Sequence, residues 1–245
     1  MRIAVIADVH GNALALDAVL ADIYAAAADL TVNLGDLLSG GVQPRETAER
    51  LRPLGLPTVR GNHERQLTTL PADQMGASDR LAHDSVPPEL VAELASLPET
   101  LEVAEGVVAF HGSPTDDLTY LLETVEETGA RAATQAEICG RLGGFVHARL
   151  LLCGHTHIQR AVRLPNGPLV VNPGSVGWPA YDDDQPYPHV MEAGSPHARY
   201  ALLDDSSGRW VAALKQVEYD WERAARIADG NRRPDVARAL RTGRI

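Results

Sequence analysis

The sequence predicts an α/β fold, in which short buried strands alternate with helices around a largely parallel sheet. Three observations carry that expectation. Apolar runs such as Arg2–Ala7, Val107–Phe110 and Leu150–Cys153 have the length and composition of core strands. Segments with helical spacing follow the early strands, as in right-handed βαβ crossovers. Each run also delivers a carboxylate, amide or imidazole to its C-terminal end, where open α/β sheets collect ligands.

In chain order, Arg2–Ala7 is the first strand and runs into Asp8-Val9-His10-Gly11. Asp8 and His10 lie two apart, so a locally extended backbone aims both the same way. Gly11 allows a sharp turn into a helix over Ala13–Ala28, and Asp29–Leu34 is the next strand, ending at Gly35-Asp36. Pro44–Leu54 reads as a helix with Pro44 in its first turn. Thr58–Arg60 is a short strand delivering Gly61-Asn62-His63. The pattern then loosens: Pro87–Leu97 is helical, while Thr68–Ser85 has little periodicity.

Val107–Phe110 ends at His111-Gly112, and Asp116–Arg141 holds two helical runs, LTYLLETVEETG and AATQAEICGRL. Leu150–Cys153 delivers Gly154-His155-Thr156-His157. Beyond it the pattern turns antiparallel, with Gln159–Leu164 and Leu169–Val171 flanking the turn signal Pro165-Asn166-Gly167. A glycine-rich loop, Asn172–Gly177, precedes the irregular stretch Trp178–Pro196. Tyr200–Leu203 pairs with Trp210–Glu218 through a turn at Asp205–Gly208; a short helix covers Asp220–Ala228, and the arginine-rich tail from Asn231 frays. No repeat or linker divides residues 1–245, so one domain is expected, with candidate cap elements within 64–104 and 113–146.

A net charge of -11 argues against a partner held by phosphate neutralisation, such as long DNA or RNA, and leaves room for a small phosphorylated ligand. Basic charge is almost all arginine, since Lys215 is the one lysine. Cys139 and Cys153 form no metal motif and read as free thiols of a reducing compartment. The chain opens on a strand, and no apolar run reaches membrane-spanning length, so a soluble cytoplasmic protein is expected. Nothing in the sequence specifies an oligomeric state.

The polar residues at strand ends are Asp8, His10, Asp36, Asn62, His63, His111, His155 and His157. Carboxylates, an amide and several imidazoles suit borderline divalent metals better than calcium, which takes more oxygen. Taken singly, each has a plain reading: a turn at Gly35-Asp36, a side-chain cap at Asn62, a satisfied histidine at His111. Alternating histidines after a buried strand, as at His155 and His157, seldom serve packing alone. The ordered recurrence is what carries the metal reading.

With Asp8-Val9-His10-Gly11, Gly35-Asp36, Gly61-Asn62-His63-Glu64, His111-Gly112 and Gly154-His155-Thr156-His157, the sequence resembles the calcineurin-like metallophosphoesterases over roughly Met1–Gly177. It is most similar to their small bacterial phosphodiesterase branch, which has a segment like Val171–Val176. The Asp-Arg-Gly continuation of the protein phosphatases is absent, since Gly35-Asp36 runs on as Leu37-Leu38-Ser39. The resemblance implies a four-layer αββα sandwich with a helical cap-like insertion and two divalent ions, manganese first, with iron, zinc or nickel as alternatives. Asp8, His10 and His157 would hold one ion and Asn62, His111 and His155 the other, with Asp36 bridging. His63 would stand outside the metal shell, facing the phosphate or the leaving oxygen.

The implied activity is hydrolysis of small phosphodiesters by a hydroxide activated between the metals. The same centre serves a phosphomonoesterase or a dinucleoside polyphosphate hydrolase, and a non-enzymatic scaffold of this fold is the rival. Asn33, Arg60, Arg65 and the Gly174-Ser175 loop are candidate substrate contacts, each with a structural reading at least as good. Trp178 and Tyr181 stand where the branch often has a phosphate-binding arginine, and either stack on a base or pack.

Overall fold

The computed structural model describes residues 1–165 and 167–245. Its elements in chain order are β1 (Arg2–Ile6), α1 (Ala13–Ala25), β2 (Leu30–Asn33), α2 (Pro44–Leu51), α3 (Asn62–Thr69), α4 (Ala77–Ser85) and α5 (Pro88–Leu94). There follow β3 (Thr100–Ala104), β4 (Val107–Phe110), β5 (Glu123–Glu126), β6 (Gly129–Ala132), α6 (Gln135–Leu142), β7 (Leu150–Leu152), β8 (Arg160–Arg163) and β9 (Leu169–Asn172). The chain ends with β10 (Ala180–Asp183), β11 (His189–Glu192), β12 (Ala198–Asp204), β13 (Val211–Val217), α7 (Trp221–Gly230) and α8 (Pro234–Thr242).

Alternation along the strands builds the layers. In β1, Ile3 and Val5 point one way and Ala4 and Ile6 the other, and all four are fully buried. Ile3 and Val5 meet Val107, Ala109, Leu150 and Leu152 of a second sheet. Ala4 and Ile6 meet Leu16, Val19 and Ile23 of α1. On the outer side of the second sheet, Phe110, Leu151 and Val170 pack against Ile138 and Leu142 of α6. Helix, sheet, sheet, helix is the four-layer sandwich that the family resemblance implies.

The single, largely parallel sheet expected from the strand–helix alternation is replaced by two mixed sheets. The first has the order β13-β12-β1-β2, with β1–β2 parallel, and the second β3-β4-β7-β9-β8, with β4–β7 and β7–β9 parallel. Their remaining pairs are antiparallel; the strands that carry the candidate site are β1 with β2 at the edge of the first sheet, and β4 with β7 inside the second.

Several local expectations are corrected. The run LTYLLETVEETG is no helix: Leu121 and Leu122 are both buried, and β5 and β6 form a hairpin whose turn uses Gly129 at φ 114°. The second run becomes α6, started by a capping box between Thr134 and Glu137. Thr68–Ser85 contains α4, whose buried face, Ser78, Asp79 and Ala82, offers no apolar period to read. Thr58–Arg60 contributes one bridge, Asn33 to Thr58, in place of a strand. Trp178–Pro196 contains the hairpin β10–β11.

The tail does not fray either. Val236, Ala237 and Leu240 of α8 pack on Ala224, Ala225 and Ala228 of α7. In the Pro165-Asn166-Gly167 turn signal, Asn166 lies outside the described residues, while β8 and β9 on either side pair antiparallel. No helix among the described residues is long and apolar enough to cross a membrane.

Candidate metal centre

The site lies where β1, β2, β4 and β7 end. Asp8 and His10 are not extended, as their spacing suggested; both take left-handed backbone, φ 55° and 48°, and so do Asp36 at 55°, His155 at 69° and His157 at 60°. Such conformations are uncommon away from glycine and hold only where the surroundings enforce them. Here backbone hydrogen bonds join the loops. Asp8 N donates to Gly35 O at 3.0 Å, His10 N to Asp36 O at 2.9 Å, Gly154 N to His111 O at 2.7 Å and Gly177 N to Asp8 O at 3.0 Å. A Cβ on Gly61 would overlap the Asp36 carboxylate, so glycine is required at that close approach.

The structure brings all eight strand-end residues together. Three groups of side chains each present donor atoms within 4.8 Å of one another: Asp8, His10 and His157; His10, Asp36 and His63; Asp36, His111 and His155. Asn62 joins through its Oδ1, 3.1 Å from His111 Nε2. Asp36 Oδ2 stands 3.3 Å from His111 Nε2 and 3.9 Å from His10 Nε2, between the two halves.

The hydrogen-bond roles show what the cluster lacks. His10 Nδ1 donates to Ser39 O at 2.6 Å and His111 Nδ1 to Leu34 O at 2.7 Å, which leaves both Nε2 atoms free to face the centre. His10 Nε2 meets His157 Nε2 at 2.9 Å, and His111 Nε2 meets the Asn62 and Asp36 oxygens. Asp8 is completely buried and, among the described residues, neither of its carboxylate oxygens has a hydrogen-bond partner; His157 Nδ1 has none either. Lone pairs converging without a donor are costly, and a cation among them removes the cost. The mixed nitrogen and oxygen donors fit a divalent transition ion.

The proton affinities follow the same lines. Burial, then the charge of His157, lowers His10 to about 3; burial, then His111, lowers His155 to about 3. Burial also acts to lower His111, but the Asp36 charge and hydrogen bond outweigh it and push it up to about 10. Against its own burial, Asp36 is held well below the usual carboxylate range, by His111 first and then His63.

His63 stands at the rim, its side chain 20% exposed, with Nδ1 held 2.7 Å from Asp79 Oδ1. Burial lowers its pKa, but Asp36 and Asp79 prevail and raise it to about 9. Asp79 was not legible in the sequence, since α4 has no apolar period to place it. Glu64 was legible only as the last residue of Gly61-Asn62-His63-Glu64, with no role of its own. Its buried carboxylate accepts N–H bonds from Asp36 at 2.8 Å, Leu37 at 2.8 Å and Gly61 at 3.0 Å, clasping the β2 loop to α3. Burial and the Asp36 charge raise Glu64 to about 7 against those donors.

Most candidate substrate contacts are taken up internally. Asn33 Oδ1 accepts Gly35 N at 3.2 Å. Ser175 Oγ donates to Asp8 O at 2.8 Å and accepts Trp178 N at 2.8 Å. The Tyr181 hydroxyl bonds Tyr120 at 2.7 Å, and its ring lies 4.7 Å from that of His157, so it braces a candidate ligand. Trp178 is a half-buried wall, 5.1 Å edge-on to His10, with the Arg233 guanidinium 5.4 Å from its ring. Arg60 and Arg65 line a cleft beside His111. Cys139 and Cys153 are free, and burial raises the Cys153 thiol well above its usual value.

Comparison with known proteins agrees with this geometry. The family model for the calcineurin-like phosphoesterase superfamily domain matches residues 1–193. An uncharacterized protein of Methanocaldococcus jannaschii is 27% identical, over 95% of this chain and 94% of that protein. The crystal structure of a metallophosphoesterase from Sphaerobacter thermophilus superposes with a TM-score of 0.75 at 23% identity, covering 99% of both chains. A hypothetical protein from Pyrococcus horikoshii OT3 gives 0.77 at 19% identity, covering 99% of this chain and 98% of that one. At these identities the two structures share the fold.

Proposed function

The chain belongs to the calcineurin-like phosphoesterase superfamily, and from that premise we propose that it hydrolyses small phosphodiesters with two divalent ions, manganese first among them. Asp8, His10 and His157 would hold one ion and Asn62, His111 and His155 the other, with Asp36 contributing to both. The observation that carries this reading is the convergence of buried acceptors without donors, above all the unpartnered Asp8 carboxylate. The same observation disfavours a scaffold without metal, for which those acceptors are only a cost.

When bound, the ions supply Lewis acidity toward phosphoryl oxygens and lower the pKa of water. The chain's own residues do the rest. Asp36 keeps the halves at a fixed separation, and Glu64 keeps its loop in register with α3. Asp79 holds Nδ1 of His63, leaving Nε2 toward the substrate to donate to a phosphoryl or leaving oxygen. The segments within 64–104 and 113–146 act as cap elements of the one domain. The net charge of -11 favours a small phosphorylated substrate over a long nucleic acid, and the two free thiols favour the cytoplasm.

Turnover by the manganese-loaded protein tests the reading, comparing bis(p-nitrophenyl) phosphate with p-nitrophenyl phosphate. Diester preference in kcat/KM of about tenfold, roughly 1.4 kcal/mol, is expected. A tenfold preference for the monoester overturns the diesterase assignment. No turnover of either ester with manganese, iron, zinc or nickel overturns the enzyme.

A further inference from the structure

A cleft of about 190 Å³ opens beside the half of the centre that contains His111. Arg60 and Arg65 line it, and both flank Asn62 in sequence, Arg60 two residues before it and Arg65 one helical turn after it. Besides His111, two arginines and three carboxylates share the cleft, and their hydrogen bonds divide unevenly. Asp117 spends both oxygens on Arg65, at 2.7 and 2.9 Å. Asp116 Oδ1 closes a turn by accepting Leu118 N, Thr119 N and Thr119 Oγ1. Glu99 pairs with Arg60 through the Arg60 Nη2 group.

Each carboxylate is thus engaged, while donors remain. Arg60 Nε is buried with no hydrogen-bond partner among the described residues. Arg65 uses Nε and Nη2 on Asp117, and its Nη1 makes no hydrogen bond among the described residues. A buried donor without an acceptor is a cost that an incoming anion removes. Asp117 occupies one edge of the Arg65 fork at the cleft wall, where it competes with an incoming anion, and the other edge of the guanidinium is left over.

Resting on the phosphoesterase reading, we infer that this cleft is a second anion subsite, which takes a phosphoryl or carboxylate group of the substrate next to the phosphoryl group that is hydrolysed. The substrate class narrows to small phosphoesters bearing two neighbouring anionic groups. Arg65 is the main determinant of that preference and Arg60 the lesser one. Neither arginine is needed to bind a lone phosphoryl group at the centre.

The test is binding, measured by calorimetry on manganese-loaded protein at fixed free manganese, so that it reads independently of turnover. Methylphosphonate offers one anionic group, whereas methylenebisphosphonate and phosphonoacetate each add a second, a phosphoryl group in one and a carboxylate in the other. At least one two-anion probe is expected to bind about tenfold tighter than methylphosphonate. Which one does so identifies the group the subsite takes. Arg65→Met should bring that probe to within about threefold of methylphosphonate, with methylphosphonate itself unchanged. Asp117→Asn should move it the other way, about threefold tighter, because a carboxylate competing for the fork is gone. That opposite sign separates loss of a subsite from loss of folding. Two-anion probes that bind wild type no better than methylphosphonate overturn the inference, as does an advantage that survives both Arg65→Met and Arg60→Met. If wild type shows the advantage yet turns over no ester, the anion subsite stands and the enzyme reading falls.

Discussion

Along β1, Ile3, Ala4, Val5 and Ile6 are inaccessible to solvent and surrounded by apolar side chains on both faces. Two residues further on, Asp8 is just as inaccessible, yet both its oxygens lack a partner and its backbone is left-handed. β2 and β7 repeat the contrast: Val32 and Leu152 are buried core, whereas Asp36, His155 and His157 beyond them are polar, crowded and at positive φ. The same strands therefore contain two kinds of interior. One lowers the free energy of the fold by removing apolar surface from water. The other raises it and is tolerated because the first is rigid enough to hold it, which is the pattern of a prearranged site.

The sharpest way to break the contrast is at Asp36, the residue placed between the two halves. Asp36→Ala should lower kcat/KM by about 1,000-fold or more, the scale of losing charge stabilisation at the reacting centre. Elemental analysis should show bound manganese falling from two ions to one or fewer. A variant that keeps both ions and most of its rate would show that Asp36 belongs with the structural interior.

His63 and Asp79 test whether the rim is separable from the metal shell. His63→Ala should cost about 100- to 10,000-fold in kcat, with both ions retained. Asp79→Asn should cost less, about tenfold, through misorientation of the ring alone. Nitrogen NMR of His63 checks the mechanism, since the Nδ1–H signal should weaken in Asp79→Asn while His10 and His111 keep theirs. Loss of both metals from His63→Ala would contradict the assignment.

Stability measurements then compare the two interiors directly. Leu152→Ala should destabilise the protein by about 2–5 kcal/mol, by lost burial and a cavity. Asp8→Asn should instead stabilise the metal-free protein by about 1–2 kcal/mol, because a buried unpaired charge is removed. Manganese should raise the wild-type Tm and raise that of Asp8→Asn by much less. Denaturant titration with and without the metal decides it; a destabilised metal-free Asp8→Asn would mean that Asp8 is satisfied as it stands.

The smallest effect expected lies far from the site, where a half-buried carboxylate is fully engaged. Hydrogen bonds from Ser206, then from Arg2, hold Asp204 at about 2, below the ordinary value of 3.8. A depressed carboxylate contributes stability that is present above its unfolded value and is lost as pH falls through about 2. Asp204→Asn should therefore flatten the acid limb of the stability curve between about pH 4 and 2, lowering stability slightly above that range and leaving it unchanged below. An unaltered acid limb would show that the pairing is absent in solution.

The sequence by itself determined which residues stand at the strand ends, and the reason is local. An apolar run that stops at Asp8, Asp36, His111 or His155 marks its own boundary, and a polar residue there has few uses. It also determined the antiparallel pair β12–β13, whose two apolar runs are joined by a short turn. Tertiary structure decided what depends on contacts far apart in the chain. Whether Leu118–Gly129 coils or pairs was settled by two adjacent buried leucines and a partner strand, which periodicity cannot see. Helix α4 escaped notice because its buried face is polar, satisfied by His63 from an earlier helix and by Arg233 of the tail bonding Ser78. The left-handed turns at Asp8 and His10 are held by hydrogen bonds to Gly35 and Asp36, which the local sequence does not reveal. Arg65 reads in the sequence as one more charge on a helix; only the approach of Asp117, 52 residues away, makes it the wall of a cleft.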